Sequence, residues 1–216
     1  MLKNVRIWFE KQGAARYISH LDLTRNMARG LKLSGLPVWY TEGFNPRIYM
    51  TYAMPLSLGV CGERECMDIR LTEEISLEEV TPRLNAHLPS GLQALEATEP
   101  VNKFEDIQYG EYHLFLEGDP ETLEKQLHTL FQKEEVLVRK HTKKGDKEFD
   151  IKPDFQNTQV DRQEEGLLLH LCLPCSVNGS TNPGLLLEAL KRHEGLEPYG
   201  VITRKRLLLQ DFSELR

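Results

Sequence analysis

The segment YHLFLEGDPETLEKQLHTLFQK, residues 112–133, decides the fold, because it joins a strand pattern directly to a helix pattern. Apolar residues alternate through YHLFLEG, as in a half-buried strand, and then recur at helical spacing. Asp119 is a favourable N-cap residue, and Pro120 suits the first helical position. The segment therefore predicts a strand followed at once by a helix.

The first half of the chain shows the same order. The strand pattern NVRIWFE precedes the helix pattern SHLDLTRNMARGLKLSG. Three strand patterns follow (PVWYTEG, RIYMTYA and CMDIRL), then a helix over SLEEVTPRLNAHLPSG that is interrupted near Pro82, and a closing strand LQALEAT. Each half therefore predicts a strand, a helix, a group of strands, a second helix and a last strand.

The second half completes that order. A hairpin is predicted in EVLVRKHTKKGDKEFDI, turning around residues 144–146, and GLLLHLCLP reads as a strand. The segment NPGLLLEALKRHEG predicts a helix with Asn182 as N-cap and Gly195 near C′. The segment YGVITRKRLLLQ predicts a last strand. We therefore predict an α+β fold of two tandem ferredoxin-like (split βαβ) units, with antiparallel sheets and helices on one face.

The boundary between the predicted units lies in an acidic, polar segment, EATEPVNKFEDIQ, which follows neither the strand nor the helix period. We predict an N-terminal unit over residues 1–99, a linker over 100–108 and a C-terminal unit over 109–216.

Composition excludes several classes of protein. The 216 residues are 40% hydrophobic and 28% charged, which allows a packed core and argues against disorder. The N-terminus has no apolar signal region, and the longest apolar run, GLLLHLCLPC, is too short to span a bilayer. We expect a cytoplasmic protein with no membrane partner.

Charge is distributed unevenly along the chain. Residues 1–50 contain eight Lys and Arg against three acidic residues, a net +5, so the other 166 residues carry −11 of the total of −6. Such a chain is a poor non-specific nucleic-acid binder as a whole, but its basic N-terminal part can hold a local phosphate site.

No motif for a metal or cofactor stands out. The pairs Cys61/Cys66 and Cys172/Cys175 allow a four-thiolate zinc site in principle, but buried or incidental thiols are the default reading. The sequence also lacks phosphate-loop, dinucleotide-binding, zincin, nucleophile-elbow and radical-cluster motifs. We therefore predict no metal and no cofactor.

The segment YISHLDLTR, residues 17–25, gathers polar residues at the start of the first helix. Ser19 and Asp22 match a capping box, in which Ser19 accepts from the N3 amide and Asp22 reaches back to the cap amide. His20 is harder to explain structurally: it either bonds a neighbouring strand or joins the helix N-terminus in holding an anion.

Two further groups of residues are candidates for binding. Arg25, Arg29 and Lys32 form one stripe of the helix, either a solvated face or a track for phosphates. In YTEGFNPR, Phe44 either folds back onto the core or stacks on a base, beside the turn residue Asn45 and a phosphate-binding Arg47. The predicted binding residues are Arg16, Ser19, Asp22, Arg25, Arg29, Lys32, Phe44, Asn45, Arg47 and, at the tip of the second hairpin, Lys143 and Lys144.

The runs YISHLDLTR, GLPVWYTEGFNPR, MPLSLGV and MDIRL, followed by TKKGDKEFDIKP, NPGLLLEAL and ITRKRLLL, cover nearly the whole chain. In these runs the sequence resembles the radical-SAM-linked (radical-SAM-associated) protein family of unknown function. Members of that family are fused to, or encoded beside, a radical SAM protein. The resemblance implies a companion role for a stand-alone form and supplies no reaction.

Three hypotheses follow. The first is an accessory module that recognises structured RNA for a radical SAM enzyme. The second is an enzyme in which His20, oriented by Asp22, performs acid–base chemistry on RNA or a phosphorylated substrate. The third is a protein-interaction scaffold that docks a basic partner through its acidic second half, around Glu121, Glu124, Glu134 and Glu135.

Overall fold

The computed structural model describes residues 2–142 and 145–216, and in it the chain forms two compact units. The first consists of Met1–Ile107 and Arg206–Arg216, and the second of Gln108–Lys205. The predicted division into 1–99, 100–108 and 109–216 stays a prediction, because compactness alone does not say which segments fold on their own.

The first unit contains four strands and two helices. In chain order these are β1 (Lys3–Lys11), α1 (His20–Leu33), β2 (Met50–Tyr52), β3 (Cys61–Leu71), α2 (Leu77–Asn85) and β4 (Leu92–Thr98). A 3-10 turn over Gly13–Tyr17 connects β1 to α1, and another forms at Phe104–Asp106. Every predicted helix of this half is therefore present. The interruption predicted near Pro82 is wrong, because α2 continues through Pro82 to Asn85.

Strand β1 lies between β3 and β4, and β2 pairs with β3, all antiparallel. Arg6 stands opposite Asp68 on β3 and Thr98 on β4. The β1–β3 register shifts after Phe9, so that Lys11 stands opposite Gly62. This bulge makes the end of β1 irregular near the start of α1.

Helices α1 and α2 cover one face of this sheet, because their apolar stripes and every second strand residue form one core. From α1 this core takes the predicted stripe of Leu23, Met27 and Leu31. Gly30 lets α2 approach closely, since an added Cβ would lie 3.0 Å from the Leu84 side chain. The buried cluster comprises Val5, Ile7, Phe9, Ala15, Leu23, Met27, Leu31, Leu36, Val38, Met67, Ile69, Leu71, Val80, Leu84, Leu92 and Ala94.

The second unit follows the predicted order with additions. Its elements are β5 (Tyr109–Glu117), α3 (Pro120–Gln132), β6 (Leu137–Thr142), β7 (Gly145–Asp150), α4 (Lys152–Phe155), β8 (Gln159–Gln163), β9 (Gly166–Ser176), β10 (Gly179–Ser180), α5 (Leu185–Ala189) and β11 (Tyr199–Leu208). Strand β9 pairs antiparallel with β5, β8 and β10, whereas β6 and β7 form a separate hairpin. Strand β11 lies beside β5, and the chain returns to the first unit within it, after Lys205.

Helix α3 begins as the sequence predicts, because the Asp119 carboxylate accepts from the Thr122 amide at 2.8 Å and Pro120 follows the cap. The core beneath it is rich in leucine. It comprises Tyr112, Leu114, Leu116, Leu123, Leu127, Leu130, Val136, Val138, Ile151, Phe155, Leu167, Leu169, Leu171, Leu173, Leu186, Ala189 and Leu190. The predicted α+β class with antiparallel strands is confirmed.

Several local predictions are wrong. PVWYTEG forms no strand; it contributes single bridges, Val38 to Leu71 and Tyr40 to Ile48. Asn182 does not cap a helix, because its side chain accepts from the Gly184 amide in a turn, and α5 starts at Leu185. The β6–β7 register pairs Thr142 with Gly145, so residues 145 and 146 belong to β7 and not to the turn, whereas Lys144 lies outside the described residues.

None of the helices that the structure describes is long and apolar enough to cross a membrane.

Candidate functional site

The start of α1 is capped as the sequence predicts, with one difference. Ser19 accepts a hydrogen bond from the Asp22 amide at 3.1 Å. The Asp22 carboxylate, however, accepts from the Ser19 hydroxyl (2.7 Å) and not from its amide. This bond and the nearby Arg25 hold the pKa of Asp22 below its usual value. Ser19 and Asp22 are therefore engaged in starting the helix.

His20 occupies the first position of α1, and its ring meets the edge of Tyr52, with the centroids 4.9 Å apart. Asp22 bonds to Ser19 and Arg25, so the carboxylate proposed to orient the imidazole is directed elsewhere. Partial burial, together with the positive charge of Lys11, lowers the pKa of His20.

The depressed pKa of His20 predicts a pH effect on stability. The pKa of His20 is about 6.5 in the unfolded chain and lower in the folded chain. The contribution of His20 to the free energy of unfolding is therefore fully present above pH 6.5, and it is lost as the pH falls through the pKa of the folded state. We expect the His20 imidazole to titrate below 6.5 by NMR, and Lys11→Met to raise its pKa by removing a neighbouring cation. An unchanged His20 pKa in Lys11→Met would contradict the assigned influence of Lys11.

A small cavity of about 10 Å³ lies beneath His20. Its lining residues are Phe9, His20, Leu23, Tyr52, Met54, Pro55, Leu56, Glu65 and Cys66. Such a volume holds about one water molecule, so the cavity itself is too small for a substrate. His20 as a whole is exposed to solvent.

Three polar residues near this cavity were not predicted from the sequence. Lys11 is buried and donates to the carbonyls of Arg16 (3.3 Å) and Ile18 (3.4 Å). Glu65 is also buried, and it lies over Gly62, where an added Cβ would stand 2.5 Å from its Cγ. Both positions follow from the bulge between β1 and β3, which a single sequence does not reveal.

Tyr52 is the third. Its hydroxyl makes no hydrogen bond of normal geometry in the part of the chain that the structure describes. The nearby Thr24 hydroxyl donates instead to the His20 carbonyl at 2.9 Å. Burial raises the pKa of Tyr52 far above its ordinary value, although Thr24 opposes the shift. Tyr52 is therefore neutral near pH 7.

A second feature is the loop that contains Phe44, which we call the Phe44 hairpin (residues 39–49). It is closed by hydrogen bonds from the Thr41 amide to the Arg47 carbonyl (2.8 Å) and from the Arg47 amide to the Thr41 hydroxyl (3.1 Å). Gly43 adopts φ +121°, a value that side chains disfavour. The Phe44 side chain is fully exposed, at 106% of its reference accessibility. The alternative that Phe44 folds back onto the core is therefore wrong.

The base of the Phe44 hairpin is stiffened by a stacked cation. The Arg70 guanidinium lies 4.3 Å from the Tyr49 ring centroid and 5.4 Å from that of Trp39. The Trp39 amide also donates to the Arg70 carbonyl at 2.8 Å. Asn45 and Arg47, near the tip, are exposed.

The predicted basic stripe of α1 is exposed at all three positions, Arg25, Arg29 and Lys32. Arg25 makes an exposed ion pair with Asp22 at 3.2 Å. Such surface pairs contribute little to stability, so the stripe is available to a partner.

The remaining predicted residues are dispersed. Lys143 and Lys144 lie outside the described residues. The four glutamates of the scaffold hypothesis are exposed: Glu121, Glu124, Glu134 and Glu135.

Within residues 2–142 and 145–216, no three His, Cys, Asp or Glu side chains come together as metal ligands. The nearest approach to such a group is in the second unit. There the His113 and His170 rings lie 4.5 Å apart and His170 contacts Asp161 at 2.8 Å. All four cysteines are free thiols, and only Cys172 is exposed.

A cleft of about 830 Å³ in the first unit was not predicted. Its floor is Trp8, which donates to the Thr98 hydroxyl at 3.0 Å and carries the Arg64 guanidinium 4.4 Å from its ring. Glu96 and Glu214 hold that guanidinium at 3.0 and 2.7 Å. The groups of this cleft are thus paired with one another.

Comparison with known proteins places the chain in a family. Residues 4–183 match the family described as "Uncharacterized protein conserved in bacteria (DUF2344)". The chain belongs to this family. No curated protein matches it. A solved structure titled "Crystal Structure of an Unknown Protein from Galdieria sulphuraria" is similar at 13% identity over 94% of this chain and 99% of that one, but its TM-score of 0.26 carries no argument.

Proposed function

We propose that this member of the family is a cytoplasmic accessory module that binds structured RNA for a radical SAM enzyme and performs no catalysis of its own. The observation that carries the proposal is the complete exposure of Phe44 at the tip of a hydrogen-bonded hairpin. Exposing a phenylalanine to water is unfavourable, so a side chain held in this way indicates a partner with a flat apolar face.

An unpaired nucleobase is such a partner. Bases in single-stranded loops stack on aromatic side chains, and nearby arginines contact the phosphates. Arg47 lies three residues from Phe44, and Arg25, Arg29 and Lys32 add an exposed basic stripe on α1. The net charge of −6 indicates that RNA contacts are confined to such local basic surfaces.

The strand order in each unit supports the proposed ferredoxin-like architecture. In the first unit the strand order β4-β1-β3-β2, with α1 and α2 between strands, is the order of a split βαβ sandwich. The second unit has the equivalent strand order, β11-β5-β9-β8. The elements β6, β7 and α4 are inserted between α3 and β8. We therefore retain the proposal of two tandem ferredoxin-like units.

We expect Phe44→Ala to weaken binding of an RNA hairpin with an unpaired loop by about 1 to 3 kcal/mol, because one stacked base loses its platform. The measurement is filter retention of that RNA, preceded by retention of total cellular RNA, at about 50 and 200 mM salt. Stability should not change, since the Phe44 side chain is fully exposed.

Two controls make this experiment specific. Tyr199→Ala removes another exposed aromatic side chain, in the second unit, and should bind RNA like the unmodified chain. Arg47→Ala should reduce the salt slope by about one phosphate contact. If the unmodified chain retains no RNA at the lower salt, the RNA part of the proposal is wrong.

The partner is tested separately, by co-purification of this chain with a radical SAM protein from the same organism. A complex that forms without RNA supports the accessory role. Binding of RNA without any complex would leave an RNA-binding protein and remove the radical SAM enzyme from the proposal.

A further inference from the structure

We infer that Tyr17 is a second stacking site for an unpaired RNA base, at the start of α1. This inference rests on the RNA-binding function proposed above, but it concerns a different surface from the Phe44 hairpin. The residue ends the 3-10 turn Gly13–Tyr17, three residues before α1 begins.

The Tyr17 side chain is exposed to 59%, although its ring is held in place by its neighbour. The Arg16 guanidinium lies over the ring, with Cζ 4.7 Å from the centroid, and donates to the Tyr17 hydroxyl at 2.6 Å. The ring is thus backed by a cation, while Tyr17 as a whole remains largely exposed.

Arg16 is in turn fixed to the fold. Its carbonyl accepts from the Gly59 amide at 2.8 Å and from the buried Lys11 ammonium at 3.3 Å. A ligand that stacks on Tyr17 therefore does not have to order it first, and a preorganised surface loses less entropy on binding. This gives the buried Lys11 a role in positioning the Tyr17 ring.

Two exposed leucines occur close to Tyr17. Leu58, exposed to 67%, precedes Gly59, whose amide bonds to Arg16. Leu21, exposed to 57%, lies in the first turn of α1. Exposed apolar residues thus occur in the two segments that flank Arg16 and Tyr17, which favours a binding surface here.

The charges nearby favour RNA over an apolar protein segment as the occupant. Arg16 adjoins the Tyr17 ring. The exposed stripe of Arg25, Arg29 and Lys32 lies on α1, the helix that follows Tyr17 in the chain. A phosphate backbone complements these cations, and tyrosine and arginine are the side chains on which unpaired bases stack. Because a base inside a duplex cannot stack on a side chain, the inferred ligand is a single-stranded loop or end.

The test uses the full chain and two RNA probes: a hairpin with an unpaired loop that carries 2-aminopurine, and the same sequence fully paired. We expect Tyr17→Ala to weaken binding of the looped RNA between about 5-fold and 150-fold and to reduce the change in 2-aminopurine fluorescence on binding. Tyr17→Phe, which keeps the ring, should bind close to the unmodified chain. Thermal unfolding confirms that each variant is folded.

The outcomes separate this inference from the function on which it rests. If the unmodified chain binds neither probe, the RNA function itself is wrong. If it binds the looped RNA and Phe44→Ala weakens that binding, but Tyr17→Ala does not, only the Tyr17 site is wrong. Equal loss of both probes in Tyr17→Ala would also overturn it, because stacking would then not be what Tyr17 contributes.

Discussion

Replacing Arg6 with methionine is expected to lower the free energy of unfolding of the first unit by about 3 kcal/mol or more. Arg6 is only 1% exposed. Its guanidinium binds both oxygens of Asp68 (2.7 and 2.9 Å) and also donates to the carbonyls of Asn102 (3.0 Å) and Arg216 (2.9 Å). The ring of Phe104 covers it, with Cζ 4.5 Å from the centroid.

The large effect follows from what the substitution leaves behind. Methionine fills much of the volume, but the Asp68 carboxylate and the Asn102 carbonyl lose the donor that Arg6 provides. The Arg216 oxygen keeps the amides of Val101 and Asn102 as donors. The main cost is therefore the uncompensated Asp68 charge in a largely buried place. Asp68 retains some contact with solvent, with 21% of its side chain exposed, so we expect the lower part of the usual range of about 3 to 5 kcal/mol.

Urea unfolding followed by tryptophan fluorescence measures this change, because both tryptophans, Trp8 and Trp39, belong to the first unit. The matched control is Arg25→Met, which breaks the exposed pair with Asp22 and should change stability by less than about 0.5 kcal/mol. In a double-mutant cycle, Asp68→Leu should recover part of the loss in Arg6→Met. Additive effects would show that the pair is not coupled.

Replacing Gly166 with alanine should be the most disruptive small substitution in the second unit. Gly166 begins β9 and stands opposite Glu117 on β5. An added Cβ would overlap the carbonyl oxygen of Leu116, a backbone atom that cannot turn away. Overpacking of this kind costs about 1 to 3 kcal/mol, and contact with backbone on a central strand pair favours the upper end.

Gly179→Ala is its control, because an added Cβ there meets no atom within 4 Å. We expect Gly166→Ala to lower the urea midpoint measured by far-ultraviolet circular dichroism, and Gly179→Ala to leave it nearly unchanged. Similar midpoints for the two variants would mean that β5 and β9 separate easily enough to admit a methyl group.

Local signals in the sequence predicted the starts of α1 and α3, whereas the start predicted at Asn182 was wrong. Ser19 and Asp119 cap their helices as predicted. These caps can be read from the sequence because an N-cap interaction spans only three residues. The buried stripe of α1 was equally predictable, since its periodicity is a property of the segment itself. The outcome for Phe44 was undecided, because the same turn residues allow an aromatic side chain to point in either direction.

The features that the sequence did not reveal depend on distant residues or on irregular backbone. Arg6 reads as an ordinary polar residue of an alternating strand, and its burial depends on Asn102 and Arg216, far along the chain. Lys11 and Glu65 are buried around a bulge that no pattern in the sequence marks. The sequence thus pointed to exposed candidate residues, whose role stays a prediction, and did not reveal the buried polar residues beside them.

The return of the chain to the first unit within β11 has a consequence for synthesis on the ribosome. Arg6 emerges early, but one of its acceptors, the Arg216 carbonyl, is 210 residues away. At usual rates of translation, the N-terminal unit waits on the order of 10 to 40 s for that bond. During this interval the second unit is translated, while a guanidinium destined for burial stays in water. The hydrogen-bond set of Arg6 is thus complete only after the segment Arg206–Arg216 has been synthesised.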